Sequence, residues 1–241
     1  MIVLLTDFGP SEYVGVMKGV ILGIDPNARV VDLCHSISPQ CLIEASWVLK
    51  NNYAHFPKGS TFCCVVDPGV GSERRAIAVR TQNYTFVDPD NGLLWETLEQ
   101  QAVVAIRELP VPQNASRTFH GRDIFARAAA ETDLGRFDTL GKESDIIEKL
   151  DLRLRGREGT VVRIDHFGNI VTNVPPLEKD CYAVDTGGDQ RTMSFFSTYE
   201  QAPSGELFLI TGSCNTLEIS LKNASAVERL QLTPGDRITI S

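Results

Sequence analysis

The sequence predicts an α/β protein: an N-terminal α/β sandwich around a mainly parallel sheet, then a smaller all-β, barrel-like domain. Three observations predict it. Residues 1 to 150 alternate apolar strand-like runs with segments of helical period. Beyond residue 155, short strand-like runs with turn residues between them replace that alternation. A charged, glycine-bearing stretch, Arg155-Gly156-Arg157-Glu158-Gly159, separates the two patterns. The boundary is therefore expected near residue 155, with domains at 1–153 and 158–241.

Taken in order, Ile2-Val3-Leu4-Leu5 is a short apolar strand that ends in the polar turn Thr6-Asp7-Phe8-Gly9. From Tyr13 to Ile24 apolar residues recur at helical spacing, and Asp25-Pro26-Asn27-Ala28 stops the pattern. Arg29 to Leu33 reads as a second strand and Ile43 to Tyr53 as a second helix. Thr61 to Val66 is a continuous apolar run, the mark of a strand covered on both faces. Thr85-Phe86-Val87 and Val103 to Ile106 are further strands, and Asp123 to Ala130 begins a helix. In the second half the strand-like runs are Thr160 to Ile164, Cys181 to Val184, Leu207 to Thr211, Leu217 to Leu221 and Arg237 to Ile240.

Composition narrows the functional classes. The 241 residues include 42% hydrophobic and 22% charged side chains and carry a formal net charge of -8. A broad nucleic-acid surface would need clustered Lys and Arg along one face, and no stretch supplies it. No run reaches the roughly 20 apolar residues of a membrane span. The apolar N-terminus lacks a basic flank and reaches Asp7 too soon for a signal peptide. The six cysteines form no CxxC pair and have no histidine at metal spacing, so a cytoplasmic protein with reduced thiols and no metal is expected.

Four segments hold more polar residues and glycines than packing needs. In α/β sheets ligands bind beyond the carboxyl ends of strands, and three of the four directly follow an apolar strand. The first is Thr6-Asp7-Phe8-Gly9 with Glu12 after it. A carboxylate there can receive two hydrogen bonds from a ribose diol, or can simply cap the next helix. The second runs from Val65 through Asp67-Pro68-Gly69-Val70-Gly71 to Arg74-Arg75. It lacks the Lys-Ser/Thr pair of a phosphate loop. What remains is an acid at a strand end, a tight turn and a returning arginine, whose charge favours an ionised neighbour. A structural turn with a surface ion pair is the competing reading. The third, Val87-Asp88-Pro89-Asp90-Asn91-Gly92-Leu93, reads mainly as a turn. The fourth, Thr118 to Phe125, sets His120 and Gly121 before a helix start; its chemistry depends on the fold bringing it to the second segment. In the second half, Asp165-His166-Phe167-Gly168-Asn169 and Ser213-Cys214-Asn215 interrupt strand patterns. Polar groups beside an aromatic suit a purine, and an ordinary β-turn is the plain alternative.

In this order the segments LLTDFG, YVGVMKG, VVDPGVGSERR, FVDPDNGLL, TFHGRDIFA, DHFGNIVTN and TLEISLKNAS resemble the S-adenosylmethionine hydrolases, or hydroxide adenosyltransferases. The likeness covers nearly the whole chain. It implies hydrolysis of S-adenosyl-L-methionine (SAM) to adenosine and L-methionine by a water attacking C5′. SAM is the substrate, and no cofactor is implied. It also implies a homotrimer in which the substrate lies between the N-terminal domain of one subunit and the C-terminal domain of its neighbour. The family's water-activating triad maps onto Asp67, Arg74 and His120. Asp7 matches the acid that holds the ribose hydroxyls. Asp165, Phe167 and Asn169 match ribose or adenine contacts, and Ser213 a contact to the methionine part. Lys222, Asn223 and Ala224 match the stretch whose backbone reads the adenine edge, with Glu218 a further polar contact. Glu12 stands where many members carry Asp, against the methionine ammonium.

Related halide adenosyltransferases carry Tyr in place of Asp67, Tyr-Ser in place of His120-Gly121, and an extra loop after the segment matching Asn91 to Leu94. Here the halide-holding hydroxyl and the loop are both missing, and these departures favour water over halide. A non-catalytic sensor that binds SAM or adenosine is the rival from another class; an intact triad argues against it, since binding alone needs no in-line water.

Overall fold

All five residues of Ile2–Thr6 (β1) are buried, and the alternation of their side chains decides the first architecture. The computed structural model describes residues 1–145 and 147–241. In it Ile2 and Leu4 face a core shared with Met17, Ile21, Phe125 and Ala129. Val3 and Leu5 face another, with Ala45, Val48, Leu49 and Phe62. A strand buried on both faces must be apolar throughout, and each such side chain contributes about 1.5–3 kcal/mol on leaving water. The helices that cover it are Glu12–Ile24 (α1), which buries Val14, Met17 and Ile21 and stops at Asp25, and Leu42–Asn52 (α2).

Around β1 the sheet grows through Val30–Cys34 (β2), Thr61–Val65 (β3), Ala76–Thr81 (β4), Thr85–Pro89 (β5), Val103–Leu109 (β6) and Lys142–Ser144 (β7). The order is β2-β1-β3-β5-β4-β6-β7. Four of the seven strands, β2, β1, β3 and β5, run parallel, while β4, β6 and β7 pair antiparallel. Two shorter helices complete this unit: Trp95–Leu98 (α3) and Ala126–Asp133 (α4), the latter entered through a π-helical turn at Gly121–Phe125. β4 was not anticipated from sequence. It follows a turn at once, with no helix between, so the strand–helix alternation gave no slot for it. Because β1, β3 and β5 are parallel, Asp7, Asp67 and Asp90 all follow carboxyl ends on one edge of the sheet. That edge is where such sheets bind ligands.

The chain divides into two compact units, Met1–Asp151 and Leu152–Ser241. Arg155 and Glu158 bridge each other at the start of the second unit, in a turn that leads straight into a strand. The second unit is antiparallel: Glu158–Ile164 (β8), Ile170–Thr172 (β9), Cys181–Asp185 (β10), Gln190–Ser194 (β11), Leu207–Thr211 (β12), Leu217–Leu221 (β13) and Arg237–Ile240 (β14), with one short helix, Ala226–Leu230 (α5). The order β11-β10-β14-β8-β9-β13-β12 nearly closes, because Phe195 just beyond β11 bridges to Leu209 in β12. Val161, Ile170, Tyr182, Leu209, Ile219 and Ile238 fill the interior.

All six cysteines are free thiols, with Cys63 and Cys64 fully buried on opposite faces of β3. Among the described residues no helix is long and apolar enough to cross a membrane, and no group of three or more His, Cys, Asp or Glu is placed to hold a metal ion.

Candidate active site

The loop from Asp67 to Arg75 folds back on itself through two glycines. Gly71 has φ +76°, and a Cβ there would strike the Arg117 carbonyl. Gly69 gives its N–H to Asp67 Oδ1 at 3.2 Å, and a Cβ there would crowd the Arg74 side chain. The loop thus returns Arg74 onto Asp67. Arg74 Nε donates to Asp67 Oδ1 at 3.0 Å and Oδ2 at 3.1 Å, and its Nη2 donates to Oδ2. Both side chains are nearly buried, and the guanidinium lies over the Phe125 ring, 5.2 Å from its centroid. In a dry site such a forked, charge-assisted pair is stronger than a surface ion pair.

The same Nη2 reaches His120 Nδ1 at 2.8 Å. A guanidinium only donates, so Nδ1 is the acceptor and the proton of the neutral ring sits on Nε2. His120 is 4% exposed and stands at the mouth of the π-helical turn. Such turns widen a helix locally and recur at functional sites. Burial, and then the Arg74 charge, hold the imidazole below its ordinary range, so the neutral form prevails. Gly121 keeps the turn close: a Cβ there would meet Phe119, Met17 and Phe8 at 3.2 to 3.3 Å. The fold therefore unites the second and fourth sequence segments, which are 46 residues apart at Arg74 and His120.

Asp67 and His120 open into a cleft of about 280 Å³ that Asp7, Phe8, Tyr13 and Phe119 also line. Phe8, Tyr13 and Phe119 form an edge-to-face trio with centroids 4.9 to 6.0 Å apart, an apolar wall beside the acids. Burial raises the Asp7 carboxyl above the usual range, as does the Asp67 charge, while hydrogen bonds from Gln40 and from its own backbone pull it down. Glu12 opens α1, is exposed, and lies outside that lining. Pro39 and Gln40 also line the cleft. Nothing in the sequence reading pointed to them; the available signal was a proline turn soon after a strand.

The third segment builds a turn. Asp90 pairs with Arg75 and accepts from Glu148 N–H at 2.8 Å, while Asn91 Nδ2 donates to the Val66 carbonyl at 2.9 Å. Asp88 is 1% exposed and its Oδ1 has no partner; burial, then Asp67 and Asp90, push its carboxyl well above the usual range.

The second unit has its own cleft, of about 890 Å³. Asp165, Phe167, Asn169, Ser213, Glu218, Lys222, Asn223 and Ala224 all line it, and so does Tyr199, which the sequence did not single out. The β8–β9 turn shapes one side. Asp165 Oδ1 accepts from Phe167 N–H at 2.8 Å and Asn169 N–H at 2.9 Å, and Oδ2 accepts from Asn169 Nδ2 at 2.8 Å. Gly168 has φ +82°, and a Cβ there would run into Ser225. The turn leaves the Phe167 ring 76% exposed. On the other side Asn215 and Asn223 adopt left-handed conformations, φ 58° and 56°, in the turns that follow β12 and β13. Glu218 is buried against Gly212, and burial and the Asp165 charge raise its carboxyl above the usual range; the Tyr199 hydroxyl donates to its Oε2 at 3.4 Å.

Residues 2–141 match the SAM hydroxide adenosyltransferase N-terminal domain, and residues 159–239 match the C-terminal domain of the same family. A protein of Thermus thermophilus named (R)-S-adenosyl-L-methionine hydrolase is 36% identical over 248 residues, covering 96% of this chain and 95% of its own. One of the same name from Methanocaldococcus jannaschii is 38% identical, covering 77% and 71% respectively. A crystal structure of a conserved protein from Thermotoga maritima superposes with a TM-score of 0.91 at 36% identity, covering 100% of both chains.

Proposed function

The chain belongs to the SAM hydroxide adenosyltransferase family, and we propose that it hydrolyses S-adenosyl-L-methionine to adenosine and L-methionine. The observation that carries this reading is the shared arginine: one Nη2 ties Asp67 to His120 at the edge of a cleft that also holds Asp7. A cleft with two carboxylates suits a substrate that carries a sulfonium cation. The sulfonium is already a good leaving group, so catalysis needs a positioned nucleophile and the exclusion of bulk water.

The donor pattern supports a division of labour. His120, protonated on Nε2 and neutral, holds the water by donating to its oxygen. Asp67 accepts the water proton as the oxygen bonds to C5′. The C5′–sulfur bond breaks with its electron pair going to sulfur, which leaves methionine as the neutral thioether, and the proton on Asp67 passes to solvent. Arg74 holds the Asp67 carboxylate in place for that transfer and fixes the His120 ring. Asp7 holds the ribose hydroxyls. Glu12 meets the methionine ammonium and Ser213 the rest of that moiety. Phe167 stacks on adenine, Asp165 and Asn169 hold the nucleoside, Asn223 and Ala224 present backbone to the adenine edge, and Glu218 is a polar contact beside them. No metal or cofactor enters this chemistry.

The cleft of about 280 Å³ falls just under the size usual for small-molecule sites, and that of about 890 Å³ lies within it. A homotrimer in the cytoplasm, with the catalytic cleft of one subunit completed by the nucleoside cleft of a neighbour, fits both. Two experiments test the reading. SAM incubated with the protein in oxygen-18 water should give labelled adenosine and methionine; chlorodeoxyadenosine in the presence of chloride would instead mark a halide adenosyltransferase, and bound but unchanged SAM a sensor. Mixing Asp67→Asn subunits with Asn169→Ala subunits should restore activity if sites are shared between subunits, and no recovery would place each site within one chain.

A further inference from the structure

The loop after β2 carries a turn whose stereochemistry is unusual for its sequence. In Ser38-Pro39-Gln40-Cys41 the Ser38 carbonyl accepts from Cys41 N–H at 3.0 Å. Proline fixes the second position near φ −65°, and Gln40 at the third has φ +62°. That pair of angles makes a type II turn, whose third position ordinarily belongs to glycine. A side chain held there is strained, and strain of this kind persists only where the surroundings impose it. The type II turn flips its central peptide relative to the commoner type I. Gln40 N–H is thereby aimed at Asp7 Oδ2, 2.8 Å away.

Glu44 ties down the first residue of the turn. It lies in the first turn of α2, is 2% exposed, and its Oε2 accepts from Ser38 N–H at 3.0 Å. An acid at this point of a helix usually reaches back to the N-cap residue itself. The N-cap here is Cys41, and Glu44 instead reaches past it to the first residue of the turn. A second tie, Gly9 N–H to the His35 carbonyl at 2.7 Å, holds the Asp7 loop and the turn's loop together. A buried carboxylate is costly unless hydrogen-bonded, so this placement is a commitment of the fold.

We propose that Glu44 is a positioning residue for Asp7. By clamping the Ser38–Cys41 turn it holds Gln40 N–H on Asp7 Oδ2 and leaves the other carboxylate oxygen to meet the two ribose hydroxyls. This rests on the reading of Asp7 as the ribose-holding acid. Glu44 touches no reacting atom; its effect reaches substrate only through the turn and Asp7.

The test is calorimetric binding of adenosine and of 2′,3′-dideoxyadenosine to wild type, Glu44→Ala, Glu44→Asp and Glu44→Gln. In wild type, adenosine should bind more tightly than its dideoxy analogue. Glu44→Ala should weaken adenosine about tenfold, the scale of one hydrogen bond to a charged group, and leave the dideoxy compound unchanged. Glu44→Asp, one methylene too short to reach Ser38, should behave in the same way while keeping the charge and the fold. Glu44→Gln, whose amide oxygen can still accept, should recover wild-type discrimination. An equal loss on both nucleosides, or no loss on either, overturns the clamp while leaving the wild-type hydroxyl preference intact. Equal binding of the two nucleosides by wild type overturns the ribose role of Asp7, and the clamp with it.

Discussion

The two units build their clefts by opposite means. In the first, Asp67 beyond a strand end and His120 at a helical turn converge on Arg74, 46 residues from that histidine, and the cleft is small, at about 280 Å³. In the second, three turns held by left-handed residues, Gly168, Asn215 and Asn223, expose backbone and one aromatic ring around a space of about 890 Å³. A charge network in a dry site suits stabilisation of a transition state, where fixed dipoles and charges act most strongly. A wide cleft walled by turns suits shape and edge recognition, which acts alike on the bound substrate and the transition state. The difference teaches that the two halves should fail differently when damaged.

The largest expected effect comes from the network. Arg74→Ala should lower kcat for SAM hydrolysis by about 10²–10⁴, since it removes the partner of both Asp67 and His120. Phe167→Ala should raise KM about tenfold and leave kcat within a factor of a few. Steady-state kinetics on the pair would break the comparison if Phe167→Ala lowered kcat as deeply as Arg74→Ala.

Next in size is backbone strain. Gly168→Ala forces a side chain into φ +82° and against Ser225. It should cost about 2 kcal/mol or more of stability, read by thermal denaturation, and raise KM through the displaced Phe167. A neutral outcome would mean that the turn is pliable and does not set the cleft.

A pH profile sharpens the role of the arginine. His120 is held below its ordinary value of 6.5, chiefly by burial and then by Arg74. Protonation puts an N–H where Nδ1 now accepts from Arg74. Rate should therefore be retained above pH 6.5 and lost as pH falls through the lowered His120 value. The sign is that of a depressed group: its contribution is present above the unfolded value and disappears on acidification. An acid limb centred above 6.5 would contradict the donor pattern.

The smallest effect expected is a gain. Asp88 is buried, and its Oδ1 is unpartnered. Its raised carboxyl favours the protonated form in the fold, so stability is fullest below the unfolded value of 3.8 and is lost as pH rises toward the folded one. Asp88→Asn should therefore raise stability by about 1 kcal/mol at neutral pH and by little in acid, as followed by urea unfolding at both. A destabilised variant would reveal a structural duty for the carboxylate.

Much of this was legible in the chain. Ile2 to Leu5 and Thr61 to Val66 are short continuous apolar runs bounded by turn residues, as strands covered on both faces are, and Asp25-Pro26-Asn27 stops the helical pattern that begins at Tyr13. Asp7 and Asp67, each just after such a strand, marked the edge of the sheet on which the cleft of about 280 Å³ lies. Less legible were β4, which follows a turn without a helix, and the π-helical start of the segment expected as a helix from Asp123. Tyr199 lines the second cleft from a short 3-10 turn that has no periodic signal.

The sequence by itself determined which residues can be buried, where the strands stop, and which carboxylates and histidine stand at those stops, because hydrophobic periodicity and turn chemistry are local properties. Only the tertiary structure decided that one guanidinium serves both Asp67 and His120, which leaves the ring proton on Nε2. It alone decided that Gln40 takes a left-handed turn under Glu44 to face Asp7. Those are contacts between segments far apart in the chain, and their geometry depends on the register of the parallel strands and the packing of α2, which no local pattern encodes.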